Sequence, residues 1–574
     1  MSQPRLNPAL TELLHTTCRM VFADLDDLAW LTDTPRSTMD DRLRRLRERK
    51  LVSSVAHSVG YEQPKRRRQR GPRYQRDRQR FFPTTKGIEA AAADLGMAPT
   101  EYWRRLPVHP QVFSEMIRRM DALAVIYDLA ARVLSHTEYS STKVDLFTSG
   151  PYDAMLRLDG GPAVGIVRVG RRQTANGFRG RWHGIVRDKD RWPAIVLIVT
   201  ATATGWRHVY EIVAARPGPP AYCAREDQVW RTRRRVWGAP SDKESTVTSL
   251  RDIVRRLPSK RKRSPAAPRR HGESRIELYP EALPANSPAV RLKPAVKELL
   301  DVIGDWHLVS RMVLPGLADV STQRVSQMLP VLTAQGLVKR LNLDKRPHYA
   351  LSDRGLRYIS GRDRVALRPK TWSVELKGPM GIFGGKMRDL YGDLDHTLTV
   401  LRLMSDLSKE AGRIQGYHLS DLDPPERALI RPNHQPDRTG IEPDAGGRLR
   451  YVTGSGTRWI SFVLEYERDR ITETRATSKV ELYQAFLVSG HKWGANGPPL
   501  VLFVFDTREE ELRFFEVAKA LDSDIHRDIG VPFALSHLGQ IKATGFLGRT
   551  WLMPVEGHAD DRLYLDQFFA DVRG

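Results

Sequence analysis

Apolar residues along the chain follow two spacings, one typical of helices and one typical of buried strands. Between residues 8 and 52 they recur three or four positions apart, which predicts three helices, the third ending near Glu48. Runs such as 194–199 and 500–505 are short and continuously apolar, as in strands buried on both faces. This alternation predicts a mixed α/β (α+β) chain, and 574 residues are too many for a single core.

The first helical stretch is followed by two predicted strands, one near Lys50 and one near Arg80. Three helices and a two-stranded hairpin in this order predict a winged helix-turn-helix, in which the third helix enters a major groove. The candidate contacts at its start are Arg36, Ser37 and Thr38. A winged helix that contacts only other proteins is the alternative interpretation.

The loop between those two strands is strongly basic. Arginine side chains in such a loop pair with phosphates or enter a minor groove. A solvated loop that becomes ordered only on DNA is the other interpretation, and the two are compatible. The predicted DNA contacts are Lys65, Arg66, Arg67, Arg68, Arg70, Arg73 and Arg76.

The second half of the sequence repeats the first. Glu298-Leu-Leu300 matches Glu12-Leu-Leu14, and Gly336-Leu-Val338 matches Lys50-Leu-Val52 at the same separation. We interpret this as a tandem duplication of a winged helix and an α/β domain. The second recognition helix then offers Thr322, Gln323 and Arg324 to DNA.

The pattern divides the chain into five predicted segments. They are a winged helix (8–106), an α/β domain (107–256), a basic, proline-rich linker (257–293), a second winged helix (294–368) and a second α/β domain (385–574).

Composition narrows the class of partner. A net charge of +24 favours a polyanion, with nucleic acid first and an anionic membrane surface second, although an arginine-rich proteome would also make many proteins basic. Cys18 and Cys223 are the only cysteines, which excludes a disulfide framework and a cysteine-rich zinc site. No apolar run is long enough to cross a bilayer and no signal peptide is evident. We expect a cytoplasmic, DNA-associated protein with no membrane partner.

Candidate chemistry is concentrated in the second α/β domain. Pro443-Asp444 ends one predicted strand, and the next carries Glu465 and Glu467, which share a face because they are two residues apart. Acids on a buried strand are expected to bind a metal, a base or each other, since isolated charges are costly to bury. Lys479 and Tyr483 follow on a predicted helix.

The first copy lacks this acidic cluster. Aligning the two halves puts Arg168 opposite Glu465, Gly170 opposite Glu467 and Ala122 opposite His396. Asp444 has a counterpart in Asp153. The comparison predicts that only the second copy keeps a reactive site.

The order of these residues resembles the restriction-endonuclease-like PD-(D/E)XK superfamily. Pro443-Asp444 and Glu465 match its motif, but Glu467 stands where that motif has lysine, and Lys479 would supply the ammonium from the next helix. More closely, residues 295–570 resemble the replication-relaxation family of plasmids and integrative elements. The matching features are His396, Pro443-Asp-Ala445, Glu465-Tyr-Glu-Arg468 and Lys479-Val-Glu-Leu-Tyr483.

The resemblance implies a role in replication, relaxation or transfer of mobile DNA, with double-stranded DNA and a relaxase or replication protein as partners. The oxygens of Asp444 and Glu465 suit Mg²⁺ or Mn²⁺, and Lys479 would neutralise charge on a phosphate. Glu467 is a further ligand or positions the lysine. His396 is a base, a phosphate donor or a packing residue, and Tyr483 is a donor, a core residue or a nucleophile.

Three functions stay open at this point. The first is a DNA-binding protein that nicks or cleaves DNA with a metal. The second is a non-catalytic DNA-binding accessory factor, and the third is a winged-helix transcriptional regulator.

Overall fold

The structure is a computed structural model that forms two compact units. The first comprises residues 1–297 and 357–367, and the second comprises residues 298–356 and 368–574. The residues it describes are 6–60, 75–106, 113–137, 142–147, 149–158, 161–229, 235–240, 247–258, 287–343, 345–366, 369–375, 383–429, 440–453, 456–468, 471–488, 499–524, 533–554 and 561–569.

The first unit begins with helices around a three-stranded antiparallel sheet of order β1-β3-β2. Asn7 caps the first helix, and Asp24 and Asp27 form a capping box on the second. The third helix buries the side chains of Met39 and Leu43 in this part of the unit. The elements are α1 (Pro8–Arg19), β1 (Ala23–Asp24), α2 (Leu25–Leu31), α3 (Arg36–Glu48), β2 (Val52–Gly60), β3 (Gln75–Pro83), α4 (Thr85–Asp94) and α5 (Pro99–Arg105).

A seven-stranded sheet of order β10-β9-β8-β7-β6-β5-β4 follows in the same unit. Its strands β6, β7 and β8 are parallel, and β4, β5 and β6 are antiparallel. The elements are α6 (Phe113–Arg118), α7 (Met120–Leu134), β4 (Thr142–Leu146), β5 (Ala154–Leu158), β6 (Ala163–Val169), α8 (Ala175–Arg187), β7 (Ile195–Thr200), α9 (Ala203–Ala215), β8 (Ala221–Arg225), α10 (Glu226–Val229), β9 (Trp237–Gly238), β10 (Val247–Thr248), α11 (Leu250–Arg255) and α12 (Pro288–Arg291).

The second unit opens in the same way, with a three-stranded sheet of order β11-β13-β12. Ser321 caps the helix that precedes the hairpin by accepting a hydrogen bond from the Arg324 N–H. The elements are α13 (Pro294–Asp305), β11 (Val309–Ser310), α14 (Leu314–Leu317), α15 (Thr322–Ala334), β12 (Val338–Leu343), β13 (Arg346–Leu351), α16 (Asp353–Asp363) and α17 (Pro369–Trp372). Residues 294–297 of α13 and 357–363 of α16 belong to the first unit.

A five-stranded sheet of order β14-β15-β16-β17-β18 completes the second unit. Helices α21 and α22 bury an apolar cluster rich in phenylalanine against one of its faces. The elements are α18 (Gly385–Gly392), α19 (Leu394–Arg413), β14 (Tyr417–Asp423), α20 (Pro425–Ala428), β15 (Ala445–Thr453), β16 (Gly456–Glu467), α21 (Glu473–Val488), β17 (Leu500–Phe505), α22 (Arg508–Asp524), β18 (Phe533–His537) and α23 (Leu538–Thr544).

The same pairing of strands occurs in both units. From β4 to β8 and again from β14 to β18, two antiparallel pairs are followed by two parallel pairs. The central strands β7 and β17 are buried along their whole length, as continuously apolar strands between helices should be. The prediction of a mixed α/β chain with several sheets is confirmed.

Two parts of the chain named above fall partly outside the described residues. They are the basic loop, whose residues 61–74 are not described, and the linker, of which 259–286 are not described. Within the described ranges, no helix combines the length and the apolar character needed to cross a membrane.

Candidate functional site

The candidate site of the second unit forms where β15 begins and β16 ends. Ala445 pairs with Leu464, which brings Asp444, the residue before β15, beside the end of β16. The Tyr466 N–H donates a hydrogen bond of 2.8 Å to Asp444 Oδ2. The aspartate is therefore held by the backbone of the neighbouring strand.

Two glutamates occupy one face of β16. Glu465 and Glu467 pair in register with Phe503 and Phe505 of β17, and both glutamate side chains are buried. Their burial among aromatic residues requires compensation by cations or hydrogen-bond donors, since a bare carboxylate is costly to desolvate.

Helix α21 supplies that compensation. Lys479 Nζ lies 2.9 Å from Glu465 Oε2 and also contacts Glu467 Oε1, so one ammonium bridges both carboxylates. Tyr483, one turn later, donates its hydroxyl to Glu465 Oε1 at 2.6 Å. Arg475, whose side chain is exposed, adds an ion pair of 3.3 Å with Glu467 Oε2. Lys479 thus reaches the position beside Glu465 that the sequence comparison required of it.

Burial and charge oppose each other in this cluster. Burial raises the pKa of Glu465 above its usual range, because it outweighs the nearby ammonium of Lys479, and the negative charge of Asp444 adds to the rise. Burial lowers the pKa of Lys479, but the two glutamates raise it by more, so the ammonium stays charged. Burial and Glu465 also raise the pKa of Tyr483 well above its usual range. Burial thus disfavours the charged form of Glu465, and Tyr483 keeps its proton and donates it in the hydrogen bond to Glu465.

His396 on α19 closes the other side of Asp444. Its Nε2 lies 3.3 Å from Asp444 Oδ2 and 3.1 Å from the Tyr466 carbonyl oxygen. Both partners are acceptors, so Nε2 carries a proton. Burial lowers the pKa of His396, but the hydrogen bond and charge of Asp444 raise it by more. His396 was expected to be a base, a phosphate donor or a packing residue, and the structure adds a direct contact with the candidate ligand Asp444.

The carboxylates of this cluster are the candidate ligands for a divalent cation. Among the described residues, no group of three or more histidine, cysteine, aspartate and glutamate side chains is arranged to hold a metal ion. The charge of Asp444 raises the pKa of Glu465, so these two carboxylates lie near each other. They are the two candidate ligands of the cluster. In proteins Mg²⁺ is commonly held by one or two carboxylates, and water and substrate phosphate oxygens complete its shell.

The first unit has the same backbone arrangement with different side chains. Ala154 pairs with Ile166 as Ala445 pairs with Leu464, and the Arg168 N–H donates to Asp153 Oδ2 at 2.7 Å. In this register Arg168 is equivalent to Tyr466.

The sequence alignment of these two strands, which put Arg168 opposite Glu465, was therefore wrong by one residue. Val167 and Val169, not Arg168 and Gly170, stand opposite Glu465 and Glu467. Residue identities do not record strand register, and a slip of one position reverses every side chain. The conclusion that the first copy lacks the acids holds, since both valines are buried in an apolar cluster.

The helix after each strand aligns as well. Thr174 caps α8 as Thr472 caps α21, each accepting from the N–H three residues later. Arg181 then stands at the position of Lys479, and Ile185 at the position of Tyr483.

Asp153 is surrounded by arginines. Its carboxylate lies 2.9 Å from Arg119 Nη2, 2.6 Å from Arg181 Nη2 and 2.8 Å from Arg364 Nη1. Burial alone would raise the pKa of Asp153, but these guanidinium groups hold it well below its usual range. An aspartate with its oxygens used in this way serves the structure and has no access to a substrate.

The space beside Asp153 is filled by a second ion-pair network. Arg168 pairs with Glu226 at 2.6 Å and with Asp363 at 3.2 Å. A Cβ on Gly170 would lie 2.5 Å from the Asp363 carboxylate, so only glycine fits there. This part of the first copy is packed with charged side chains that neutralise one another.

The predicted DNA contacts at the two helix starts are exposed. Arg36, Ser37 and Thr38 begin α3, and Arg36 also pairs with Asp26 at 3.0 Å. Thr322, Gln323 and Arg324 begin α15 and are likewise exposed. Of the basic loop, Lys65, Arg66, Arg67, Arg68, Arg70 and Arg73 lie outside the described residues, as does the side chain of Arg76 in β3.

Several contacts at the two sites were not anticipated from the sequence. Arg475 pairs with Glu467, and the Tyr466 hydroxyl donates to Asp506. Matching the threonine caps would have placed Arg181 opposite Lys479. Arg119 and Arg364 lie too far from Asp153 along the chain for any spacing rule to find them.

Comparison with known proteins gave no match to a family model, to a curated protein or to a solved structure.

Proposed function

We propose that this chain is a DNA-binding protein of mobile-element replication, relaxation or transfer, whose second α/β domain nicks or cleaves DNA. The observation that carries the proposal is the cluster at the end of β16. Asp444, Glu465 and an ammonium from Lys479 meet there, whereas the equivalent strand positions in the first unit are valines.

The order of helices and strands at the start of each unit supports DNA binding. Three helices, the last followed by a two-stranded antiparallel hairpin, are the elements of a winged helix-turn-helix. The exposed polar residues at the start of α3 and α15 are available to bases and phosphates. The net charge of +24 adds the sequence-independent attraction that such proteins need.

The chemistry would proceed from the side chains already in place. Asp444 and Glu465 would hold a divalent cation, which lowers the pKa of its bound water and binds a phosphate oxygen. Lys479 would stabilise the extra negative charge of the phosphorane from its position beside Glu465. His396, protonated on Nε2, would orient Asp444 and donate to a phosphate oxygen when it leaves the carboxylate.

A non-catalytic accessory factor is the second candidate, and one observation favours it. Both oxygens of Glu465 are occupied, one by Tyr483 and one by Lys479. A cluster in which cations and donors satisfy the acids is also a stable structural arrangement, and such a protein would recruit a relaxase or a replication protein to DNA.

A supercoiled plasmid assay separates the two candidates. Full-length protein is incubated with plasmid and Mg²⁺ or Mn²⁺, and the nicked fraction is followed on a gel. We expect Asp444→Ala to reduce nicking by about 100-fold or more, since it removes a metal ligand. Lys479→Met should reduce it by a similar order, because it removes the charge that stabilises the phosphorane.

Glu481→Ala is the matched control, because Glu481 lies on the same helix but is exposed. It should nick as the wild type does. If wild type and Asp444→Ala nick equally with every metal, the nuclease proposal fails. Retained binding of duplex DNA by both would then select the accessory-factor function.

A further inference from the structure

The two long strands of the second unit carry a polar surface that the proposed chemistry does not use. In the register that matches the two units, β5 ends at the equivalent of Leu449 and β6 begins at the equivalent of Ser461. Strands β15 and β16 continue past these points as a paired hairpin. We call residues 450–453 and 456–460 the strand extension.

One face of the strand extension is basic and aromatic. Arg450 pairs in register with Trp459 on one side and with His418 on the other, so these side chains share a face. Arg448 lies two residues before Arg450 on the same face. Glu465 is six residues beyond Trp459 on β16, on that face too and about 20 Å along the strand.

The charges on this face are only partly compensated. The Arg448 guanidinium lies 4.4 Å from the centroid of the Trp459 ring, in a cation–π contact. The side chain of Arg450 makes no hydrogen bond or ion pair with the part of the chain that the structure describes, and its Nε is shielded from solvent. Burial and the charge of Arg450 lower the pKa of His418, although Asp421 acts in the opposite direction. A half-buried guanidinium group with no partner in the described residues can pair with an anion such as a phosphate.

The equivalent positions of the first unit carry different side chains. Arg157 stands at the position of Arg448 and pairs with Asp145 at 2.6 Å. Gly161 stands at the position of Trp459. The aromatic ring and the unpaired arginine therefore accompany the acidic cluster in the second unit and are absent with it from the described part of the first.

We propose that the strand extension binds a single-stranded segment of nucleic acid. A base stacks on the exposed part of the Trp459 ring, and a phosphate pairs with Arg450. Stacking on a tryptophan requires a base that has left the duplex, and arginines beside such a ring bind the backbone. This inference rests on the proposed function, since it assigns a second site of the same domain to the single strand that nicking would expose.

The test measures binding by fluorescence anisotropy with full-length protein, a labelled oligothymidylate and a blunt duplex of equal length. Trp459→Ala should weaken binding of the single strand roughly tenfold and leave duplex binding within about twofold. Trp459→Phe should restore most of the affinity, because it keeps an aromatic face. Arg450→Gln should lower the slope of log Kd against log salt for the single strand by about 0.7, the value expected when one phosphate is no longer neutralised.

Arg458→Ala is the matched control. Arg458 precedes Trp459 on β16, is exposed and faces the opposite side of the sheet. It should change single-strand affinity by less than about twofold, because it leaves the stacking ring in place. The inference is overturned if Trp459→Ala and Arg458→Ala behave alike, or if Trp459→Ala weakens duplex binding equally at an unchanged melting temperature. Asp444→Ala should retain single-strand binding, so loss of nicking and loss of strand binding are separate results.

Discussion

At the scale of single residues, the two buried glutamates of the candidate site need partners that offset the cost of burying their charge. Lys479 bridges Glu465 and Glu467, and Tyr483 satisfies the remaining oxygen of Glu465. Removing one partner of a buried ion pair costs about 3–5 kcal/mol, because the other charge stays buried and unpaired. The lysine therefore holds the fold together at the point where it would also act on a phosphate.

Lys479→Met should destabilise the protein by about 3–5 kcal/mol at pH 8 and by less at pH 5. Burial already raises the folded-state pKa of Glu465 above its unfolded value, and removal of the ammonium raises it further. Between the unfolded and folded pKa values the native state binds more protons, so stability falls as pH rises through that window. Chemical denaturation at the two pH values measures the difference.

Arg475→Met controls for removal of a cation near Glu467. Its side chain is 56% exposed, so the ion pair contributes no more than about 1 kcal/mol. If Lys479→Met is destabilised equally at pH 5 and pH 8, the pKa of Glu465 does not respond to loss of the ammonium.

At the scale of elements, equivalent pairs of strands carry different side chains in the two units. In the second unit β15 and β16 present acids, and in the first unit β5 and β6 present valines and an aspartate enclosed by arginines. Those arginines come from the start of α7, from α8 and from the segment after α16. Asp153 therefore ties three separate elements of the first unit together.

Asp153→Ala should destabilise the first unit by about 3–5 kcal/mol, since it leaves three guanidinium groups without their anion. Asp444→Ala should cost less, because Asp444 is 23% exposed and contacts one histidine and one amide. Hydrogen exchange followed by mass spectrometry should show faster exchange in β5 and β6 for Asp153→Ala. Similar protection of these strands in both variants would mean that the arginine cluster adds no stability.

The strands, the strand register and the side-chain contacts of this protein differ in how well the sequence predicts them. The strands β7 and β17 follow from their apolar runs. The order Asp444, Glu465 and Lys479 along the chain also indicated a shared site. The one-residue error in comparing the units arose because register depends on hydrogen bonding between strands. The arginines around Asp153 were missed because their proximity is created only by the tertiary fold.

At the scale of the whole molecule, the charge of +24 is the dominant feature. A protein that neutralises several phosphates releases their counterions, so its affinity for DNA falls steeply with salt. Each unit exposes polar residues at the start of one helix, and the first also contains the basic loop. We therefore expect most of the binding free energy to be independent of sequence.

Deleting residues 65–74 removes six lysine and arginine residues from this total. The slope of log Kd against log salt for duplex DNA should fall by up to about 5, at roughly 0.9 for each phosphate that is no longer neutralised. Replacing the same residues with a glycine-serine loop of equal length is the control for chain length. An unchanged slope would show that the loop does not bind DNA.

One contact is common to both units. A backbone N–H of the neighbouring strand donates to an aspartate, from Tyr466 to Asp444 and from Arg168 to Asp153. The first unit keeps this aspartate although valines replace the glutamates there. In both units the aspartate joins two neighbouring strands, so this role does not depend on the side chains beside it. An aspartate at this turn is therefore a poor marker of a working nuclease. The residue at the position of Glu465, a glutamate in the second unit and Val167 in the first, is the one that differs between the two units.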